Sequence, residues 1–277
     1  MSLVQIAAAV QSHGEPDEPA GSPVTSVGKA LRLLDAFRTM GPIAGVSELA
    51  RATGLPKSTA FRLLSQLERS GFLERLGTDY RLNLLVFELG NRVSDCTPGD
   101  LRSIAGPFLS ELFLQSGYVV HLAVLDHTDV LYLDKIHGHG GIKVPSTVGG
   151  RMRASFSGLG KAMLAFGHRD AVERILEDGL TRRTRHSIAA PGLFLAELRR
   201  VADHGVAFDR EEAALGLTCV AAPVVHHGKA IAALSVSGPT GRFDPAQLAA
   251  RVRSAAHEIS ALHARHVIER ADDTGIL

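Results

Sequence analysis

VSELARATGLPKSTAFRLLSQLERSGFLERLGTDYRL, residues 46–82, decides how this chain is read. Val46, Leu49 and Ala50 are the apolar positions of a short helix that ends at Thr53-Gly54, where glycine supplies the positive φ of a helix C-cap. Leu55-Pro56 makes a bend, and a new helix starts at about Lys57, with proline tolerated in its first turn. Ala60, Leu63, Leu64 and Leu67 form the inner face of that helix at i, i+3 and i+4 spacing. Ser58, Arg62, Ser65 and Arg69 occupy the opposite face, with Lys57 and Thr59 at the N-terminal end. The preceding helix carries an apolar stripe of Val27, Ala30, Leu31, Leu34 and Phe37, predicted to pack as a third helix. Gly71 ends the second helix of the motif. Phe72–Arg75 and Tyr80–Leu82 read as two short strands joined by residues 76–79, a hairpin beside the helix. The whole is a winged helix-turn-helix, which presents one rigid helix to the DNA major groove.

Charge agrees with that geometry. Residues 26–82 hold nine Lys and Arg against five Asp and Glu, whereas residues 1–25 hold three acidic groups and no basic one. The whole chain is +1, so residues 83–277 sum to zero, and the positive charge sits where the groove-reading helix sits. A polyanion partner follows from that placement. The candidate DNA contacts are Lys57, Ser58, Thr59 and Arg62 on the helix, and Arg75 and Arg81 on the wing. A single arginine among them is more often a solvated surface group, and a winged helix can also bind protein; the set taken together favours double-stranded DNA.

The remaining chain bounds the rest. A length of 277 residues accommodates two domains, each with a core. The two cysteines, Cys96 and Cys219, make neither a disulfide framework nor a zinc pattern, which fits a reducing cytoplasm. The most apolar run, residues 219–225, is strand-sized, and the N-terminus has no basic region followed by an apolar core, so neither a membrane segment nor a signal peptide is expected. Residues 1–23 are expected to be a disordered tail, 24–83 the winged helix, 84–100 a linker helix beginning LLVFELG, and 101–270 a second domain. In that domain the predicted helices are 101–116, 161–166, 171–176, 193–204 and 245–270. The predicted strands are 119–125, 130–135, 221–225 and 231–236. The fold class is therefore α+β, an antiparallel sheet flanked by helices. The pairs His137/His139 and His226/His227 lack the i, i+4 spacing of a zinc helix and read as surface groups, so no metal and no cofactor is expected. Gly158-Leu159-Gly160-Lys161 fails as a phosphate loop, because Ser155 and Ala162 stand where that motif needs Gly and Ser/Thr.

Six blocks, in this order and spacing, resemble the IclR family of bacterial transcriptional regulators. They are ALRLLDAF (30–37), SELARATGLPKSTAFRLLSQLERSGFLER (47–75), YRLN (80–83), SGLGKAMLAF (157–166), GVAFDREEAALGLTCVAAPV (205–224) and AALSVSGP (232–239). The resemblance implies a cytoplasmic repressor or activator of catabolic or secondary-metabolic genes, here read as a repressor. It further implies a GAF-like effector domain, a homodimer or tetramer, a palindromic operator, and a small organic or aromatic acid as effector. The stripe of the first helix and Leu84, Leu85, Phe87 and Leu89 are the expected dimer interface.

Ser235 and Ser237 are i, i+2 on a strand and point to one face, two hydroxyls in an otherwise apolar stretch. Ser157-Gly158-Leu159-Gly160 leads into a helix whose free amides can seat an anion. By resemblance, the Gly158 and Leu159 amides hold the effector carboxylate, and Asp209, Cys219, Ser235 and Ser237 match polar contacts in members that bind short keto acids. Val144, Phe156, Leu159, Met163 and Leu217 are the expected apolar wall. Cys219 has no base near it in sequence and reads as a small hydrophobe. The run DREE (209–212) reads as a charged loop or helix start. The other reading, a small-molecule-binding protein or enzyme whose N-terminal module binds protein, would need a nucleophile–base pair that the sequence does not supply.

Overall fold

Three hydrophobic cores organise the described residues, one in the N-terminal unit and one on each face of the C-terminal sheet. A computed structural model describes residues 25–96, 101–138 and 144–274, and the chain divides into two compact units between residues 97 and 98. The expected disordered tail, residues 1–23, and the end of the expected linker helix, residues 97–100, lie outside the described residues.

In the N-terminal unit α1 (Ser26–Met40) is started by Thr25, whose side chain accepts from the Gly28 amide at 3.1 Å. A three-residue strand β1 (Ile43–Gly45) follows, then α2 (Val46–Thr53) and α3 (Lys57–Arg69). Gly54 takes the left-handed conformation (φ 66) that closes α2, and Pro56 stands just before α3. β2 (Leu73–Leu76) and β3 (Asp79–Leu82) form the wing, and α4 (Leu84–Cys96) leaves it. Leu33, Phe37, Leu49, Leu63, Leu64, Leu73 and Tyr80 fill the core between the three helices and the wing.

Two details depart from the sequence reading. The wing is a three-stranded sheet in the order β1-β3-β2, because Ile43–Gly45 pairs with Asp79–Arg81; three residues are too few to carry an alternating signal. The core face of α1 is built on Leu33 and Phe37, while Val27 and Leu31 stand 69% and 59% exposed. α1 is apolar on two sides, and only the side that docks on α2 and α3 is buried.

The C-terminal unit holds α5 (Leu101–Ser116), β4 (Val119–Asp126), β5 (Asp129–Ile136), β6 (Arg151–Arg153) and α6 (Gly158–Leu164). It continues with α7 (Arg169–Glu177), α8 (Pro191–His204), β7 (Ala207–Arg210), β8 (Leu217–His226), β9 (Lys229–Pro239) and α9 (Pro245–Thr274). The strands form one antiparallel sheet in the order β6-β5-β4-β9-β8-β7. Side chains alternate across it. Val120, Leu122, Val220, Val224, Leu234 and Val236 pack against α5 and α9. Ala123, Ala207, Cys219, Ala221 and Ala233 face α6, α7 and α8. Burial on both faces explains the apolar centres of β8 and β9, and both strands run beyond the 221–225 and 231–236 expected of them.

Three expectations are corrected here. α6 begins at Gly158 rather than Lys161, because Ser157 is its N-cap and accepts from the Gly160 amide at 3.3 Å. Asp209 and Arg210 lie on strand β7, not in a loop or helix start. Only Glu211, at φ 64, and Glu212 turn away from the sheet. β6 was likewise unanticipated, being three residues long.

Leu64, fully buried in the N-terminal core, sets a test of this division. Leu64→Ala is expected to cost about 2–5 kcal/mol, read as a lowered denaturant midpoint for the N-terminal unit, with the C-terminal transition unmoved.

Candidate nucleic-acid interface and ligand cavity

On α3 the buried positions Ala60, Leu63 and Leu64 lie opposite an exposed face of Lys57, Ser58, Arg62 and Arg69, with Thr59 and Ser65 half-buried. Phe61 stands on the flank of that face and is 46% exposed. Its side chain lies outside the core stripe, a placement that sequence reading did not single out. On the wing Arg75 is exposed and its Nε donates to the Gly77 carbonyl at 2.9 Å. Arg81 donates from Nε and Nη2 to Glu74 Oε2, at 3.0 and 2.8 Å. Glu74 and Arg81 face each other across the β2–β3 ladder. The pair is solvent-exposed and therefore weak, so a phosphate can replace the carboxylate at little cost.

In the C-terminal unit the register sets the candidate effector residues in two rows. Asp209 pairs with Cys219, which pairs with Ser237; in the next row on the same face Ala221 pairs with Ser235, which pairs with His121. The small side chains on this face leave a tight cavity of about 20 Å³, room for about one water-sized group. Ser157, Asp209, Cys219, Ser235 and Ser237 supply its polar wall, and Val144, Met152, Leu159 and Leu217 its apolar wall. The first turn of α6 rests directly on this floor: a side chain at Gly158 would meet Cys219 Sγ at 2.7 Å. Gly158 and Leu159 are the first two residues of α6, where amides have no intrahelical partner.

Electrostatics in the cavity are set by burial. His121 is 2% exposed and its Nε2 lies 2.8 Å from Ser146 Oγ, its Nδ1 3.4 Å from Ser235 Oγ. Burial, with Lys135 and His137 adding to it, lowers its pKa to about 3, so it is neutral. Asp209 is 3% exposed, and its Oδ1 accepts from the Glu212 amide at 2.7 Å and the Ala213 amide at 3.3 Å. Burial, and then the carboxylate of Glu212, raise its pKa to about 7 despite those two amides and Lys161. Burial likewise pushes the Cys219 thiol up to about 12, which removes it as a nucleophile at ordinary pH. Behind the wall, the buried Lys161 places Nζ 2.5 Å from Glu212 Oε1 and 3.8 Å from Glu197 Oε1. Glu197 also accepts twice from Arg200, at 2.7 Å.

The structure thus brings together Gly158, Leu159, Asp209, Cys219, Ser235 and Ser237. Of the expected apolar wall, Val144, Leu159 and Leu217 line the cavity; Phe156 and Met163 are buried without lining it. His121 and Tyr132 were missed, although a lone histidine in the apolar strand VVHLAVLD was the available signal. Lys161 and Glu212 were missed because the residues that pair them are 51 positions apart. Of the second histidine pair, His227 is exposed and His226 half-buried, its ring edge-on against His227 and the buried His263, with centroids 4.1 and 5.1 Å apart. Half of the other pair, His139, lies outside the described residues. Among the described residues, no group of three or more His, Cys, Asp or Glu could hold a metal ion, and no helix is long and apolar enough to cross a membrane.

Comparison with known proteins bears on both units. Residues 26–77 match the IclR helix-turn-helix domain, and residues 96–261 the bacterial transcriptional regulator IclR C-terminal domain. The chain is 32% identical over 251 residues to the transcriptional repressor IclR of Escherichia coli, covering 87% of this chain and 91% of that one. It is 34% identical over 250 residues to the regulator KdgR of the same organism, covering 88% and 94%. Among solved structures, Thermotoga maritima IclR is similar at 28% identity with a TM-score of 0.71, covering 86% of this chain and 98% of that one. An IclR homologue from Microbacterium hydrocarbonoxydans, solved with 4-hydroxybenzoate, shares the fold at 24% identity with a TM-score of 0.80, covering 88% and 100%.

Neutral His121 has a measurable consequence for stability. As the pH falls from 6.5 toward 3, only the unfolded chain protonates it, so its contribution to stability is lost by about 1.4 kcal/mol per pH unit. Asp209 acts in the opposite sense: its raised pKa favours the fold as the pH falls from about 7 toward 3.8. His121→Gln removes only the first effect. Relative to the wild-type chain, the variant is expected to gain stability progressively below pH 6.5, read from urea midpoints at pH 7 and pH 5; a constant difference would mean that His121 is not held neutral.

Proposed function

The chain belongs to the IclR family of bacterial transcriptional regulators, and from that premise we propose how its parts divide the work. It is a ligand-responsive DNA-binding regulator and not an enzyme. In the proposed arrangement α3 enters the major groove, with Ser58, Thr59 and Arg62 at base edges or phosphates and Lys57 at the backbone. Arg75 and Arg81 on the wing take backbone contacts. The single observation that carries this reading is the two-faced α3, whose leucine stripe fixes it in the core while its cations and hydroxyls stay exposed.

One headpiece of this size buries too little surface for tight, specific binding, so two act together on a palindromic operator. Val27, Leu31, Leu84, Phe87 and Leu89 are exposed apolar side chains of α1 and α4, a surface suited to a homodimer. In this reading the chain works in the cytoplasm and acts as a repressor, the role that the names of several relatives give for them. The cavity on β7, β8 and β9 takes a small organic or aromatic acid. Hydroxyls from Ser157, Ser235 and Ser237 meet its oxygens, together with the Gly158 and Leu159 amides, and the apolar wall holds its carbon skeleton. Ligand changes operator affinity to the extent that it binds the DNA-competent and incompetent states differently, typically by about 1–3 kcal/mol of coupling.

Fluorescence anisotropy on duplex from the gene's own upstream region tests the interface. Arg62→Ala is expected to weaken binding by about 1–3 kcal/mol, and the wild-type affinity to fall steeply with salt, by a log–log slope of about −0.9 per phosphate neutralised. Binding within twofold of wild type removes α3 as the reading helix, and a flat salt dependence counts against DNA as the partner. Ser235→Ala with Ser237→Ala is expected to leave DNA binding intact and abolish the response to organic acids in the same assay.

A further inference from the structure

The charges around the cavity do not balance when every carboxyl is ionised. Resting on the reading of that cavity as the effector site, we propose that a carboxylate effector enters together with one proton, held on Asp209, so that the protein loses affinity for its effector as the pH rises.

Among the described residues the cavity wall holds hydroxyls, a thiol, an imidazole and the Asp209 carboxyl, but no lysine or arginine side chain. The cation behind it, Lys161, is 1% exposed and already bonded to Glu212 at 2.5 Å. Glu197, the third acid of that cluster, is held by Arg200. Asp209 is therefore a second buried carboxyl beside a cation paired elsewhere, and burying an unpaired charge is costly.

Among the described residues the cation that acts on Asp209 is Lys161; the others point elsewhere, Lys135 donating its Nζ to the Ser146 carbonyl at 2.6 Å. Arg183 reaches over the same loop but donates its Nε to the Ala213 carbonyl at 2.7 Å. Arg210, next along β7, lies over the Phe208 ring at 4.8 Å. Glu211 accepts from the Gly216 amide at 2.8 Å and adds negative charge to the same loop. Cys219 and Tyr132 are acids that burial keeps protonated, and His121 is neutral. An ionised ligand carboxylate beside an ionised Asp209 would place two like charges in one low-dielectric site, where one of them takes a proton. Oδ1 of Asp209 already accepts two amide hydrogens, which assigns the proton to Oδ2. Protonated there, the group donates a hydrogen bond to the ligand oxygen instead of repelling it. Without ligand its pKa is already raised to about 7, and a bound anion raises it further, so binding above neutral pH takes a proton from solvent.

The full-length protein can be titrated calorimetrically with acetate, pyruvate, benzoate and 4-hydroxybenzoate, all ionised at pH 6 and at pH 8.5. Two buffers of different ionisation enthalpy at each pH count the protons exchanged. The expected result is a dissociation constant at least tenfold larger at pH 8.5, rising about tenfold per pH unit at the upper end. At pH 8.5 about one proton is expected to be taken up per carboxylate bound, and at pH 6, where Asp209 already holds it, almost none. In Asp209→Asn, whose amide donates at every pH, both the pH dependence and the proton uptake disappear. A wild-type constant that changes less than twofold with no proton uptake, or an unchanged pH dependence in the variant, overturns the coupling while leaving the effector site standing. No binding of any of the four acids at pH 6 overturns both. The proton count is read on the wild-type chain, so the test stands even where the variant does not fold.

Discussion

A sheet covered by helices on both faces can enclose a cavity only where one of its faces carries small side chains. β8 and β9 meet that requirement by alternation. Their Val220, Val224, Leu234 and Val236 build a dense layer under α5 and α9, while Cys219, Ala221, Ala233, Ser235 and Ser237 stand on the other side. The dense face supplies the stability and the thin face supplies the room. Gly158 extends the same logic, because a side chain there would collide with Cys219 and lift the first turn of α6 off the polar floor. Hydroxyls in this setting are not defects: on a buried face each needs a partner, and Ser235 finds one in His121 Nδ1 and Ser157 in the Gly160 amide.

The same division between a holding face and a working face recurs in α3. Leucines and an alanine lock one side into the N-terminal core, and that rigidity fixes where the exposed Arg62 and Ser58 stand. The wing shows the same economy of charge. Arg81 is balanced across the ladder by Glu74 in the absence of DNA, so a cation can be displayed there without leaving the free surface strongly repulsive. Regulation by a small acid then requires only that the ligand distinguish two states of the molecule, because a ligand of equal affinity for both shifts nothing.

Much of this was legible along the chain. The helix-turn-helix could be read because its helices are long enough to show a 3.6-residue period, and because Gly54, Pro56 and Gly71 punctuate them. Ser235 and Ser237 could be read because two hydroxyls at strand spacing interrupt an apolar run. β1, β6 and β7 could not, since three or four residues do not establish a period, and β7 also carries the charged DR that suggests a loop. The apolar stripe of α1 was visible, but not which side of it would be buried.

What the amino-acid order determined by itself is therefore local and periodic: the winged helix, its charge, the α+β class of the second unit, and the backbone and hydroxyl donors of the candidate site. Tertiary structure alone decided which distant side chains share a low-dielectric space. Lys161 meets Glu212 across 51 residues, and His121 meets Ser235 across 114, each by strand register and helix docking rather than by spacing. The charge state of Asp209 belongs to this second kind. A carboxyl in water is an ordinary acid, and only burial beside Glu212, with the nearby cation already paired, raises its pKa to about 7.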